Sequence, residues 1–249
     1  MSIPSGAVEI PARVRALARG DRLTPVWRNG LGGLTFRAEG GDAGGSAPTR
    51  YLKWGPWNAE TSMAAEAERL VWAGRYTRVP EVLEHGADGE HEWLVTAAVA
   101  GRSAVDPRWL ADPATAVRVV GEGLRALHDA LPVADCPFDW GVHARVANAL
   151  QRGIEVPEEL LEPPSIDRLV VCHGDACVPN TLVHDDGAWA GHVDLGALGV
   201  ADRWADLAVA AMSTGWNYGP GWSDALIAAY GVEPDPLRQA YYADLWNAT

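Results

Sequence analysis

The chain has 249 residues, 48% of them hydrophobic, enough for a substantial core in one large domain or in two lobes. Its net charge of −13 argues against nucleic-acid binding, which needs a basic face, and there is no apolar run of about 18 residues to span a membrane. Three cysteines, Cys136, Cys172 and Cys177, are an odd number without metal-ligand spacing, which points to reduced thiols in a cytoplasmic protein and away from disulfides or zinc.

Met1 to Gly20 carries Arg13, Arg15 and Arg19 but lacks the apolar centre of a secretory signal. Trp27 to Phe36 sets Gly30, Gly32 and Gly33 between two strand-like pieces, where backbone N–H groups can approach an anion with no side chain in the way. Gly40 to Ser46 reads as a flexible hairpin loop. Arg50 to Lys53 reads as a strand, and Ser62 to Ala73 as a helix with Ala65, Arg69 and Trp72 at helical spacing. After the apolar run Trp93 to Thr96, helical patterns take over: Thr115 to Ala130 through Val119, Leu124 and Leu127, then Phe138 to Arg152 through Val142, Val146 and Leu150. Pro157 to Pro164 breaks the chain. Thr181 to Val183, the turn Asp185-Asp186-Gly187 and Trp189 to Val193 read as a hairpin. Ala201 to Met212, Ser223 to Tyr230 and Pro236 to Asn247 read as helices. The expected fold class is α+β, with a small β-rich N-terminal lobe over residues 1–99 and a larger, mostly helical lobe over 100–249.

The densest chemistry lies in His173-Gly174-Asp175-Ala176-Cys177-Val178-Pro179-Asn180, followed by Val193-Asp194-Leu195-Gly196. In protein kinases a catalytic loop H-R-D-L-x-x-x-N precedes D-F-G; its Asp accepts the proton of the attacking hydroxyl, and the Asn and the second Asp hold magnesium. Asp175 and Asn180 stand at the spacing of that Asp and Asn, and the hairpin between Asn180 and Asp194 would bring these two side by side. An alcohol is a weak nucleophile at neutral pH, so a carboxylate must orient it and take its proton. Magnesium on nucleotide phosphates favours hard oxygen ligands, which an amide oxygen and a carboxylate supply. Taken singly, H-G-D and D-L-G would each read as a turn; in order and at this spacing they read as phosphoryl-transfer groups. His173 reads as a structural hydrogen-bonding residue and His192 as a strand residue near the metal.

Among twenty basic residues Lys53 is the one lysine. A compact ammonium on a strand can reach nucleotide phosphates, and Glu66 on the following helix is available to pair with it. The bland alternative for Glu66 is a solvated helix face, shared with Glu68.

These passages, together with Glu66 to Trp72, Leu124 to His128, Asp135 to Asp139 and Gly199 to Asp206, resemble the aminoglycoside 3'-phosphotransferases, antibiotic kinases with the protein-kinase-like fold. The resemblance covers nearly the whole chain. It implies a two-lobed kinase-like fold with a nucleotide-binding N-terminal lobe. It further implies Asp175 as the catalytic base, Asn180 and Asp194 as ligands of Mg2+, Lys53 on the α- and β-phosphates and Glu66 holding Lys53. Ala97 to Val99 becomes the hinge whose backbone, at Ala97 and Val99, grips the purine. ATP is the implied donor, with GTP as the alternative.

The resemblance weakens at the acceptor. The family binds amines with acidic residues from an inserted loop, from the helix after the metal aspartate and from the C-terminus. Here the stretch between Arg152 and Asp167 is short, although Glu155, Glu158 and Glu159 remain. Leu207 to Trp222 holds no charged residue, Trp246-Asn247 replaces an acidic pair, and Ala197 replaces an Arg. An ammonium without carboxylate partners loses charge-assisted bonds. The expectation is therefore an antibiotic O-phosphotransferase, serving resistance or self-resistance, whose sugar-containing acceptor is less cationic, of nucleoside or aminocyclitol type. Trp216, Tyr218, Trp222 and Trp246 are candidate walls for it. Two alternatives stand beside this: an aminoglycoside 3'-kinase with an acidic pocket rebuilt from Asp139, Glu155, Glu158, Asp224 and Thr249, and a catalytically inactive kinase-fold binding protein. The net negative charge suits a polycationic ligand and equally suits plain solubility. Oligomeric state is not legible.

Overall fold

The computed structural model describes residues 4, 6–40, 48–58 and 62–249. The chain divides into two compact units, one of residues 1–74 and 80–98, the other of 75–79 and 99–249.

The first unit is a five-stranded antiparallel sheet with two helices. In chain order these are α1 (Ala12–Ala18), β1 (Arg22–Arg28), β2 (Leu34–Glu39), β3 (Arg50–Pro56), α2 (Met63–Ala73), β4 (Val82–Ala87) and β5 (His91–Ala97). The strand order is β1-β2-β3-β5-β4, so β3 is central. Alternation along β2 turns Leu34, Phe36 and Ala38 inward, where they pack with Leu52, Trp93, Val95 and the α1 residues Val14, Leu17 and Ala18. Ser62 caps α2, its Oγ accepting from the Ala65 N–H at 3.3 Å. Helix α1 forms where the sequence reading offered only three spaced arginines, because Val14, Leu17 and Ala18 line one face that the sheet can bury. The loop expected over Gly40 to Ser46 lies, from residue 41, outside the described residues.

The second unit is mostly helical: β6 (Arg102–Ser103), α3 (Pro107–Leu110), α4 (Pro113–Ala130), α5 (Val142–Gln151), β7 (Leu169–Cys172), β8 (Thr181–Val183), β9 (Trp189–His192), β10 (Gly199–Asp202), α6 (Trp204–Tyr218), α7 (Ser223–Tyr230) and α8 (Pro236–Ala248). Two small sheets, β7 with β10 and β6-β8-β9, carry the loops that matter below. Helix α6 is buried nearly all round its first three turns, which explains its apolar sequence. It packs with α4 and α7 around Val119, Val120, Leu124, Leu207 and Leu226.

Two expectations need correction. The helix expected over Phe138 to Arg152 begins only at Val142, because the Asp139 carboxylate accepts from the Gly141 N–H at 2.7 Å and turns the chain first. The helix expected from Ala201 to Met212 starts at Trp204 and runs to Tyr218, since Ala201 and Asp202 pair with β7. Arg75–Val79 belongs to the second unit; Gly191, at φ +155°, lies so close to the Arg78 carbonyl that a Cβ there would collide. No described helix is long and apolar enough to cross a membrane.

Candidate active site

In the first unit Lys53 sits on the central strand, in register with Thr35 of β2 and Leu94 of β5. Its Nζ donates to both carboxylate oxygens of Glu66 at 2.7 Å. Glu66 is buried on α2, so its charge is compensated by this pair and is not a solvated face. The tight turn between β1 and β2 is organised by Asn29, whose Oδ1 accepts from the N–H groups of Leu31 at 3.0 Å and Gly33 at 2.7 Å. The Gly33 amide is thereby committed within the turn. Gly30 and Gly32 are exposed, and Gly32 takes φ +87°, a conformation that favours glycine. At the end of β5 the Ala97 N–H donates to Glu81 O at 2.9 Å and the Ala98 N–H to Thr49 O at 3.0 Å. The Val99 N–H enters no hydrogen bond among the described residues.

In the second unit β7 delivers the loop His173–Asn180. Gly174 takes φ +87°, and any Cβ there would collide with the Ala197 carbonyl, so glycine is required before Asp175. The Asn180 amide Nδ2 donates to Asp175 O at 2.9 Å and to Asp175 Oδ2 at 3.1 Å. This leaves the hard Oδ1 of Asn180 as the atom able to ligate a cation. Asp175 Oδ1 is sealed from solvent and has no hydrogen-bond partner among the described residues. The hairpin forms as expected: Thr181 pairs with His192, and the Val193 N–H donates to Asn180 O at 3.0 Å, setting Asp194 beside Asn180. Asp194 adopts φ 67°, left-handed backbone that costs a non-glycine residue about 1 kcal/mol and that clusters at functional sites. Burial raises the Asp175 carboxyl above its ordinary value; the Cys177 thiol works against this and the Asp194 charge with it.

His173 is structural, as its sequence context indicates. Its Nε2 pairs with Val193 O at 3.0 Å and its Nδ1 with the Asp175 N–H at 3.3 Å. His192 is buried 5.5 Å from the His173 ring, centroid to centroid, and burial with that neighbour holds it neutral. Cys177 is no activated thiolate, since burial and Asp175 push its thiol upward.

Sequence reasoning gave no role to the groups that hold this loop from behind. Asp206, fully buried on α6, accepts from the His173 N–H at 2.6 Å and the Gly174 N–H at 3.0 Å, and pairs with His128 Nε2 at 2.9 Å. His128 Nδ1 in turn meets the Tyr230 hydroxyl at 2.8 Å. The available signal was a lone acid inside the apolar run Trp204 to Ala211.

The candidate acceptor residues sit on several elements of the second unit. Asp139 and Glu155 flank opposite ends of α5, whose length is about 15 Å. Glu155 and Glu158 are exposed, and Asp224 lies in the first turn of α7 beside an open cavity with Ala228 and Gly231 to Pro234. Thr249 is turned toward cations: Arg145 donates to its Oγ1 at 2.8 Å and Arg152 to its carbonyl oxygen. The Tyr218 hydroxyl donates to Ala104 O at 2.7 Å, and Trp222 packs on the core. Trp216 and Trp246 do come together, ring centroids 5.6 Å apart, with Trp216 57% exposed.

A Lys–Glu pair on a β-sheet unit, with an Asp, an Asn and a second Asp on the loops of a helical unit, defines a protein-kinase-like phosphotransferase. The sequence signature of the phosphotransferase enzyme family matches residues 30–242, and the chain belongs to that family. The chain is 35% identical over 242 residues to an aminoglycoside 3'-phosphotransferase of Streptomyces fradiae, covering 85% of this chain and 89% of the relative. It is also 35% identical over 257 residues to a streptomycin 3''-kinase of Streptomyces griseus, covering 87% and 92%. A solved aminoglycoside phosphotransferase of Streptomyces rimosus, in complex with ADP and streptomycin, superposes with a TM-score of 0.68 at 27% identity over 93% of this chain and 94% of the other.

Proposed function

We propose that this chain transfers the γ-phosphoryl group of ATP to a hydroxyl of a sugar-containing antibiotic, conferring resistance. The observation that carries the reading is the buried, unpartnered Oδ1 of Asp175 beside Asn180 and Asp194. Asp175 is the base: Asn180 fixes one carboxylate oxygen and leaves the other to accept the proton of the attacking hydroxyl. Lys53, steadied by Glu66, binds the α- and β-phosphates; Gly30 and Gly32 contribute amides to the phosphate turn, and Ala97 and Val99 grip the purine by backbone groups. Residues up to the hinge thus form the nucleotide-binding lobe, and the rest carries base and acceptor. Asn180 and Asp194 would hold Mg2+, and the donor set fits: one amide oxygen, left over by an amide nitrogen committed to Asp175, and one carboxylate. Bound there, the ion supplies neutralisation of phosphate charge. The ADP complex of the Streptomyces rimosus relative supports an adenine nucleotide as donor, ATP over GTP. All five residues whose loss would mark an inactive binding protein are present, and Lys53 and Glu66 are paired. Three free cysteines suit a cytoplasmic location.

For the acceptor, the favoured reading is a compound less cationic than a classical aminoglycoside, of nucleoside or aminocyclitol type. Asp139 and Glu155 at opposite ends of α5, the cationic surroundings of Thr249 and the exposed Trp216 with Trp246 support it. The equal identity to kinases acting at 3' and 3'' positions leaves the hydroxyl open. The test is magnesium-dependent nucleotide consumption with product mass, using kanamycin, streptomycin and neutral nucleoside antibiotics in parallel. Phosphorylation of the neutral compounds alone is the expected outcome. Efficient turnover of kanamycin would overturn it and restore the rebuilt acidic pocket; no phosphorylated product from any antibiotic would sink the function itself.

A further inference from the structure

Helix α6 touches the catalytic loop twice. Asp206 holds its start through the N–H groups of His173 and Gly174, and seven residues on, on the same helix face, Ser213 Oγ accepts from the Val178 N–H at 3.0 Å. Ser213 is 1% exposed. Behind it Asn217 Nδ2 donates to Ser213 Oγ at 3.2 Å and to Ser213 O at 2.8 Å. In front of it the Cys177 thiol lies against both the Ser213 hydroxyl and the Asp175 carboxylate. The order is thus Asn217, Ser213, Cys177, Asp175, running from one turn of α6 to the base.

We propose that Ser213, backed by Asn217, is a positioning residue for phosphoryl transfer: its hydroxyl fixes Val178 and Cys177, and through them the direction in which Asp175 presents its unpartnered oxygen. The physical reason is the asymmetry at Asp175. Asn180 restrains Oδ2 only, and Oδ1 has no hydrogen-bond partner among the described residues, so the direction of the Asp175 side chain follows the loop backbone, which the bond at Val178 fixes. A buried N–H cannot be abandoned without cost, so the loop and α6 are held in one arrangement. Among residues 207–222 no charge offers Val178 a substitute partner. This inference rests on Asp175 being the base, and goes beyond that reading by assigning the loop's second anchor.

The test compares Ser213→Ala, Ser213→Thr, Asn217→Ala and Asp175→Asn. ADP release from MgATP is followed with a neutral nucleoside antibiotic, with streptomycin and with water alone as acceptor, beside amide hydrogen exchange over residues 173–180 and thermal melts. Ser213→Ala is expected to speed exchange of the Val178 amide and to lower kcat about tenfold to hundredfold, the scale of a misplaced catalytic group. Nucleotide KM stays within about twofold, because the nucleotide contacts are elsewhere. Ser213→Thr, which keeps the hydroxyl, recovers most of the loss, and Asn217→Ala gives a smaller loss in the same direction. A folded Ser213→Ala protein with unchanged kcat, or with kcat lost only alongside a matching rise in nucleotide KM, overturns the proposal. Should Ser213→Ala not fold, an unaltered kcat in Asn217→Ala does the same. Activity retained in Asp175→Asn would instead remove the base assignment, a separate failure.

Discussion

Lys53 Nζ lies 2.7 Å from each carboxylate oxygen of Glu66, and this symmetric pairing joins the central strand of the sheet to α2. With Lys53 on the phosphates as proposed, Lys53→Ala removes one or two charge-assisted bonds, so nucleotide KM should rise about tenfold to hundredfold. It also takes the ammonium away from the buried Glu66 carboxylate, so the melting temperature should fall. Steady-state kinetics with MgATP check the first effect and a thermal melt the second; an unchanged KM would remove Lys53 from the phosphates. Lys53→Arg is not a mild change here, because a planar fork cannot reproduce a compact ammonium.

Asp175→Asn keeps the shape of the loop but cannot accept a proton. We expect kcat to fall about a hundredfold to ten-thousandfold with nucleotide binding retained. Turnover alongside nucleotide titration separates the two.

The same carboxyl sets an acid limit. Burial raises the Asp175 carboxyl above its ordinary value, and only the ionised form acts as base. As pH falls through the raised value the base is protonated and turnover is lost, so the acid limb of kcat/KM should lie above about pH 4, the ordinary carboxylate range. A limb at or below that range contradicts the assignment.

Asp206 has the opposite sign. Burial alone would raise it, but the hydrogen bond and charge of His128, together with His173 and the Gly174 N–H, hold it below its ordinary value. A depressed carboxylate contributes stability that is present above the unfolded value, about 3.8, and lost as pH falls through the folded one. Acid unfolding monitored by circular dichroism should therefore begin below about pH 4. Asp206→Ala, which leaves His128 Nε2 and two backbone donors unpaired, should cost about 3 to 5 kcal/mol. A melting temperature within a degree or two of the parent would show that water replaces the carboxylate.

Trp216→Ala should raise acceptor KM about threefold to tenfold, the scale of one aromatic contact, and leave kcat and nucleotide KM unchanged. Quenching of tryptophan fluorescence on acceptor binding in the parent, and its loss in the variant, is an independent check.

Much of the chemistry was legible in the chain because kinase-type groups are carried on short, ordered segments. Asp175 and Asn180 are five apart on one loop, and the hairpin from Thr181 to His192 could be read from its alternation and its Asp-Gly turn, so Asn180 and Asp194 were adjacent before any coordinates. Lys53 stood out by composition and Glu66 by helical spacing. Helix ends were less legible: Ala201 and Asp202 have helical neighbours but are claimed by β7, because pairing a strand outweighs a local preference.

What the sequence determined by itself is the kinase-like plan and the proposed set of reacting groups, since both follow from residue type and near-neighbour spacing. Only the tertiary structure decided which groups hold them. Asp206 and Ser213 reach the catalytic loop across more than thirty positions of chain, a relation set by how α6 packs and not by any local pattern. Thr249 meets Arg145 and Arg152, and Trp216 meets Trp246, for the same reason: side chains distant in sequence become neighbours when burial of apolar surface brings their helices together.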